Sequence, residues 1–424
     1  MIAVATPSSS RYRKRLLALL TATYVVCYLD RQILGILIEP IKLELKLSDT
    51  QLGFLSGTAF ALTYVLFGLL MGALADSRSR RAILGASLIV WSGATVLCGA
   101  AQNFTQLFLA RVVVGIGEAG CVPAAQSLIA AHYAPAERGR ALGIFMSGSS
   151  IGTFLGFLLG GLLAAAIGWR IAFVLAGVPG LILAVLVLGM VREPPRPASD
   201  AAPPLLGQSL RAGLRVLRTR AAFRRVAISA GLGAMISYGL GTWLASFFIR
   251  YHGLSTAQAG VLLAVAFGLV GMFGIVAGGW LGDRAARRDA RGYAWVAAAG
   301  LAVATPCYWL AFAATDLTLA IAALVPAVAA SHAISAPAFA IVHGVVSDDT
   351  RGTGVALFMF VGNVLGIGLG ALAIGALSDA FAGAAGENAL RYSLLAIVSI
   401  GWVAAAGFLA TAPAVSREWR AKQA

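Results

Sequence analysis

Gly72-Ala-Leu-Ala-Asp76-Ser-Arg78-Ser-Arg80-Arg81 lies between two long apolar stretches, and 207 positions later the plan returns as Gly279-Trp-Leu-Gly-Asp283-Arg284-Ala-Ala-Arg287-Arg288, again between apolar stretches. A glycine, an aspartate four residues on and a run of arginines at near-matching offsets mark an internal duplication. A second echo supports it: Glu137-Arg138-Gly139-Arg140 runs on to Phe145-Met146, and Thr350-Arg351-Gly352-Thr353 to Phe358-Met359. Two parallel copies of one helical unit must meet at an interface, where duplicated transporters place their substrate.

Composition sets the solvent. With 59% apolar and only 12% charged residues, the chain falls far below the roughly 25% charge of soluble domains, so it belongs in lipid. Spans of about 20 apolar residues cross a bilayer, and twelve are expected: 16–38, 52–73, 82–101, 107–131, 141–166, 171–191, 226–250, 259–281, 293–313, 317–342, 353–377 and 392–411. The expected fold is an all-α membrane protein of two six-helix pseudo-symmetric bundles. Residues 1–191 form the first, 192–225 a cytoplasmic linker, and 226–424 the second with a short basic tail. Arg11-Tyr-Arg-Lys-Arg15 before an apolar run has the look of a signal peptide, but the run continues without a cleavage site and is read as a retained first helix.

The net charge of +15 reports topology rather than nucleic-acid binding. Of 32 Lys and Arg, 25 fall on the side that holds both termini and 5 on the other, which places both termini in the cytoplasm. The abundance of Ala, Gly and Arg suggests a GC-rich bacterial genome and therefore the inner membrane. In the linker, Arg192-Glu-Pro-Pro cannot sustain a helix, whereas 211–225 is expected to form a short basic helix at the membrane surface. Cys27, Cys98, Cys121 and Cys307 are dispersed and read as small buried residues, and Asn103-Phe-Thr105 lies too near the outer surface to serve as a glycosylation acceptor.

Helix 5 carries Gly148, Gly152, Gly156 and Gly160, and helix 11 carries Gly362, Gly366 and Gly370. Four-residue spacing puts each set on one helix face, a groove where another helix can pack closely, either statically or as a rocking surface.

Four ionisable residues sit at depth: Asp30 and Arg31 in helix 1, Arg111 and Glu118 in helix 4. Burying a charge in a membrane costs at least about 2.5–3.5 kcal/mol, so such residues pair and mark a pathway. Arg111 and Glu118 are two turns apart on one face and can meet helix 1 on both sides of the Asp30-Arg31 step. One reading is a pair of structural bridges, Asp30 with Arg111 and Glu118 with Arg31. The other assigns proton carriage to Glu118 first and Asp30 second, with Arg31 and Arg111 holding a phosphate or carboxylate through their bidentate forks. Tyr28 joins the same site.

The second half offers Tyr238, Trp243, His332 and Asn363 as binding residues, along with Thr242, Ser331 and Ser335, and no charge at depth. One charged and one apolar wall suit an amphiphile with an anionic head. His332 is either a titrating group or an interhelical hydrogen-bond partner. The repeated loops are read as gates: Gly72 and Gly279 as tight turns, Asp76 and Asp283 as latches onto neighbouring helix ends, with Arg78, Arg80, Arg81, Arg284, Arg287 and Arg288 beside them.

These residues carry a family resemblance. Gly72-x-x-x-Asp76-x-Arg78-x-Arg80-Arg81 and Arg111-Val-Val-Val-Gly115-Ile-Gly117-Glu118-Ala-Gly120 resemble the signature motifs of the major facilitator superfamily, and the twelve-span duplication extends the likeness to the whole chain. Tyr28-Leu29-Asp30-Arg31 with Gly115-Ile-Gly117-Glu118-Ala119 resembles its spinster-like branch. That resemblance implies proton-linked carriers of lysophospholipids or phosphorylated sphingoid bases, with Asp30, Arg31, Arg111 and Glu118 as functional residues. Gly148 to Gly161 resembles the antiporter glycine motif without its proline, which leaves the direction of exchange open.

The expected function is a proton-coupled secondary transporter, monomeric, with the proton as coupling ion and no cofactor, moving a lipid-like anion across the bilayer. The alternative cargo is a small polar organic anion or drug-like compound. Enzymatic activity is not expected, because His132, His252, His332 and His343 are dispersed and form no nucleophile-base set. ATP drive is not expected either, because Lys14, Lys42, Lys46 and Lys422 stand in no phosphate-binding loop.

Overall fold

The computed structural model of the chain describes residues 10–193, 220–347 and 351–423, and the described residues are almost wholly helical. Among the described residues twelve helices follow in order: α1 (Ser10–Leu45), α2 (49–77), α3 (Arg80–Ala100), α4 (Phe104–His132), α5 (Pro135–Ile167), α6 (Trp169–Met190), α7 (Ala221–His252), α8 (Thr256–Ala286), α9 (Arg291–Ala313), α10 (Leu317–Val345), α11 (351–385) and α12 (Ala389–Gln423). The twelve apolar runs each fall on one of these helices. Most of the helices extend past the runs, because interfacial residues continue the backbone ladder beyond the hydrocarbon, whereas α3 and α6 end one residue short of theirs. The apolar run Gly352–Trp419 divides where Gly386 takes φ 54, a left-handed conformation that ends α11 and starts α12. The basic stretch 211–225 lies mostly outside the described residues.

Several helices depart from regularity. α4 stops at Glu118 and restarts at Cys121, and α10 stops at His332 and restarts at Ser335. Each break is a two-residue turn, after Glu118 in α4 and after His332 in α10. π-helical segments interrupt α2 at Phe54–Thr58, α8 at Ala264–Val270 and α11 at Val364–Leu369. Such segments leave backbone carbonyls without their usual partner, and the Gly368 carbonyl inside the α11 segment accepts the Thr58 hydroxyl at 2.6 Å.

The chain divides into two compact units. The first comprises Met1–Lys46, Ala59–Pro203 and Thr256–Ala264. The second comprises Leu47–Thr58, Pro204–Ser255 and Val265–Ala424, so it includes the start of α2. In the first unit, α5 lies along α1 through its glycine ladder. A Cβ at Gly148 would meet the Thr21 carbonyl at 3.0 Å, at Gly152 the Val25 carbonyl and Tyr28 Cβ, and at Gly156 the Leu29 carbonyl at 2.8 Å. Lipid supplies no hydrophobic drive between helices, so this close backbone contact is the cohesion. In the second unit Gly366 and Gly370 press α11 onto α7 at Ala234 and Met235, while Gly362 faces open space.

Gly72 and Gly279 are not turns. Both lie inside regular helix, Ala59–Ser77 and Gly271–Ala286, and neither has a positive φ. The expectation of a tight glycine turn is corrected: the helix runs on past the glycine, and a Cβ at Gly72 would meet nothing within 4 Å.

Candidate functional site

The site in the first unit is built by three glycines. A Cβ at Gly115 would strike the Thr63 hydroxyl and the Phe60 carbonyl of α2, at Gly117 the Trp91 backbone of α3, and at Gly120 the Ser87 hydroxyl. Without side chains there, α4 seats itself against α2 and α3 and delivers Arg111 and Glu118 to α1. Arg31 Nε donates to Glu118 Oε2 at 2.6 Å, and the Cys27 thiol donates to the same oxygen at 3.4 Å. Arg111 Nη1 lies 3.9 Å from Asp30 Oδ2. The side chains of Glu118, Asp30 and Arg111 are at most 2% exposed and that of Arg31 is 11% exposed, so this is a desolvated quartet rather than a surface network.

The two pairs are unequal. The Arg31–Glu118 pair is in direct contact, whereas the Asp30–Arg111 pair stands beyond hydrogen-bond reach. Both Asp30 oxygens, Arg111 Nε and Nη1, Arg31 Nη2 and Glu118 Oε1 are buried with no hydrogen-bond partner among the described residues. Buried polar groups are normally satisfied, so a quartet with spare donors and acceptors is equipped to take on something further. Aromatic rings cover the guanidinium faces: Arg31 lies 5.1 Å from the centroids of Tyr28 and Phe60 and 4.6 Å from Tyr64, and Arg111 lies 5.5 Å from Phe60. Sequence reasoning picked the quartet and Tyr28 but missed Phe60, Tyr64 and the Cys27 thiol, because an aromatic or cysteine inside an apolar run carries no mark of its neighbours.

The second-unit candidates sit on α7, α10 and α11. Trp243 is fully buried and donates from Nε1 to the Ala371 carbonyl at 2.8 Å. His332 Nδ1 lies 2.9 Å from the Val328 carbonyl and 3.4 Å from the Ser331 hydroxyl, which is itself 2.9 Å from the Tyr308 hydroxyl. A Cβ at Gly366 would meet Tyr238 Cδ2 at 2.9 Å, and Asn363 ends the helical segment before the α11 π-helix.

A polar knot that the sequence did not reveal holds the start of α2 in the second unit. Arg250 grips Asp49 with two bonds of 2.9 Å, and Ser378 donates to the same carboxylate at 2.7 Å. Asp379 in turn accepts from the backbone N–H groups of Asp49 and Thr50 at 3.1 and 2.7 Å, capping the helix start.

At the repeated loops, Asp283 accepts the hydroxyl of Tyr293 at the start of α9, and Arg284 lies over Trp280. The Asp76 side chain lies outside the described residues. The Arg80 and Arg81 backbone N–H groups and the Ser79 hydroxyl all donate to Glu193, just past α6. Partial burial works against the charged form of Glu193, but these donors prevail and hold its carboxyl below the ordinary range.

Twelve apolar helices in a duplicated plan, with paired charges buried among them, define a multi-pass membrane transporter of small molecules. The Major Facilitator Superfamily profile matches residues 20–371, and the chain belongs to that superfamily. It is 34% identical to an MFS-type efflux pump of Mycolicibacterium smegmatis over 88% of this chain and 86% of the relative. It is 28% identical to the hexuronate transporter of Bacillus subtilis over 63% of this chain and 64% of the relative. A solved bacterial homolog of the human lysosomal transporter Spinster, inward-facing and unoccupied, matches with TM-score 0.89 and 30% identity over 97% of this chain and 99% of that one. Within the superfamily the chain is a spinster-like transporter and not an enzyme.

Proposed function

We propose that the chain is a proton-coupled carrier working by alternating access, with an anionic, amphiphilic cargo such as a lysophospholipid. The observation that carries this reading is the unequal quartet. With both carboxylates ionised the four charges cancel; one added proton leaves a net positive charge in a dry site, which favours an anion. Glu118 has one oxygen engaged by Arg31 and one unbonded, whereas both Asp30 oxygens and the Arg111 Nε and Nη1 are unbonded. The geometry therefore favours Asp30 as the first proton acceptor and Arg111 as the first anion contact, with Glu118 and Arg31 following. The amphiphile is favoured by the aromatic rings around the guanidinium groups and by the scarcity of charge at depth in the second half.

A small polar anion is the second reading, favoured by the likeness to a hexuronate transporter. On either reading the protein acts as a monomer in the bacterial inner membrane, both termini cytoplasmic, with the proton as coupling ion and no further cofactor. Proteoliposomes under a pH gradient, offered labelled lysophosphatidylglycerol or labelled glucuronate, decide between them. Lysolipid accumulation abolished by Asp30→Asn and Glu118→Gln supports the first reading. Glucuronate accumulation alone replaces it with the second, and uptake indifferent to the gradient refutes proton coupling.

A further inference from the structure

Phe60 is 2% exposed and stands where α2 leaves its π-helical segment. Its ring lies within 5.1 Å of the Arg31 guanidinium and 5.5 Å of that of Arg111, so a single ring serves both cations. Its position is fixed: Gly115 of α4 seats against the Phe60 carbonyl, and Tyr64 stacks on the ring at 5.4 Å between centroids. A guanidinium drawn to a ring face is held by an attraction that uses none of its in-plane N–H bonds. That accounts for an otherwise costly arrangement, in which Arg111 Nε and Nη1 go unbonded 3.9 Å from a carboxylate that is unbonded as well.

We propose that Phe60 is a positioning residue that holds Arg111 back from Asp30, keeping that pair open so that the carboxyl can take a proton and the guanidinium an anion. The inference rests on the proposed role of Asp30. Phe60 touches no cargo in this account; it sets the spacing of the groups that do. The charged and titratable groups that act on Asp30 are Arg31 on its own helix, Cys98 on α3, and Arg111 and Glu118 on α4, with the Thr95 hydroxyl of α3 also facing it, whereas Cys27 and Tyr64 face the Arg31–Glu118 pair and Cys121 faces Cys27. Loss of the ring uncovers both guanidinium groups, but Arg31 stays bonded to Glu118 at 2.6 Å, which leaves Arg111 as the one free to close on Asp30.

The test is infrared difference spectroscopy on the purified full-length protein without cargo, following the protonated-carboxyl band as pH is varied, with Asp30→Asn identifying the Asp30 contribution. Phe60→Leu keeps apolar bulk but removes the ring face. Arg111 then closes on Asp30, and the Asp30 band titrates at lower pH by about one to three units, the effect of a close opposite charge. Phe60→Tyr keeps the ring and restores the wild-type midpoint. An unmoved midpoint in Phe60→Leu overturns the assignment, as does a midpoint that moves equally in Phe60→Tyr. A wild-type protein with no titrating band sensitive to Asp30→Asn refutes the proton-carrier reading itself, and the role of Phe60 with it.

Discussion

Asp49→Ala cuts the knot that docks the start of α2 in the second unit. Asp49 is 3% exposed in its side chain and accepts two bonds from Arg250 and one from Ser378. Removing one member of a buried pair costs about 3–5 kcal/mol because the other charge is stranded. Arg250 keeps 21% exposure and regains some water, so the lower end, about 3 kcal/mol, applies. That energy comes off the docked state of residues 47–58. At about 1.4 kcal/mol per tenfold, the undocked population rises roughly 150-fold. Leu52, fully buried in the docked segment, reports it: in Leu52→Cys, labelling by a membrane-impermeant maleimide accelerates by about two orders of magnitude when Asp49→Ala is added, since labelling follows the opened population. Arg250→Met added to Asp49→Ala removes the stranded charge and recovers much of the loss. Labelling changed by less than about threefold, or a double variant in which the two effects simply add, would refute the reasoning by showing that the pair carries no coupling energy.

Four further outcomes are expected. Gly152→Leu cannot be seated against the Val25 carbonyl and Tyr28 Cβ, so it costs about 1–3 kcal/mol by overpacking and lowers both melting temperature and transport; Gly72→Ala, with open space at Cβ, leaves transport intact and stabilises by about 0.4–1 kcal/mol. Arg111→Ala weakens binding of lysophosphatidylglycerol at least tenfold relative to a neutral monoacylglycerol, as measured by competition in detergent, and equal losses for both would remove the headgroup role. Glu193 has a folded pKa below its ordinary 4.5, so its stabilisation is complete above that value and is lost as pH falls through the depressed one. Glu193→Gln therefore lowers the melting temperature near pH 7 by an amount worth less than about 1 kcal/mol after solvent screening, and melting curves of the two proteins converge in acid.

The fold was legible because two signals at different scales agree: apolar runs long enough to cross a bilayer, and a motif that repeats at a fixed distance. The quartet was legible for an energetic reason. A charge at depth is costly enough that its survival demands a partner, and heptad spacing on α4 set Arg111 and Glu118 on one face. The same spacing said nothing of which pair would touch. That inequality depends on Phe60, which in sequence is one more aromatic in an apolar run.

The knot at Asp49 escaped for the opposite reason. Asp49, Arg250 and Asp379 sit at the ends of apolar runs, where charge is cheap and needs no partner, and Asp49 is separated from the other two by 201 and 330 residues along the chain. Only the folded second unit, which takes residues 47–58 from the sequence of the first half, makes them neighbours. Position along the membrane normal thus governs what sequence can disclose: at depth, cost betrays a partnership, and at the surface only topology does. The glycine motif obeys the same logic. Gly72 and Asp76 repeat as Gly279 and Asp283, yet a repeat testifies to shared ancestry of the helices and not to a turn, and the helix that runs through Gly72 shows that the duplicated feature is a helix end carrying an acid and a base.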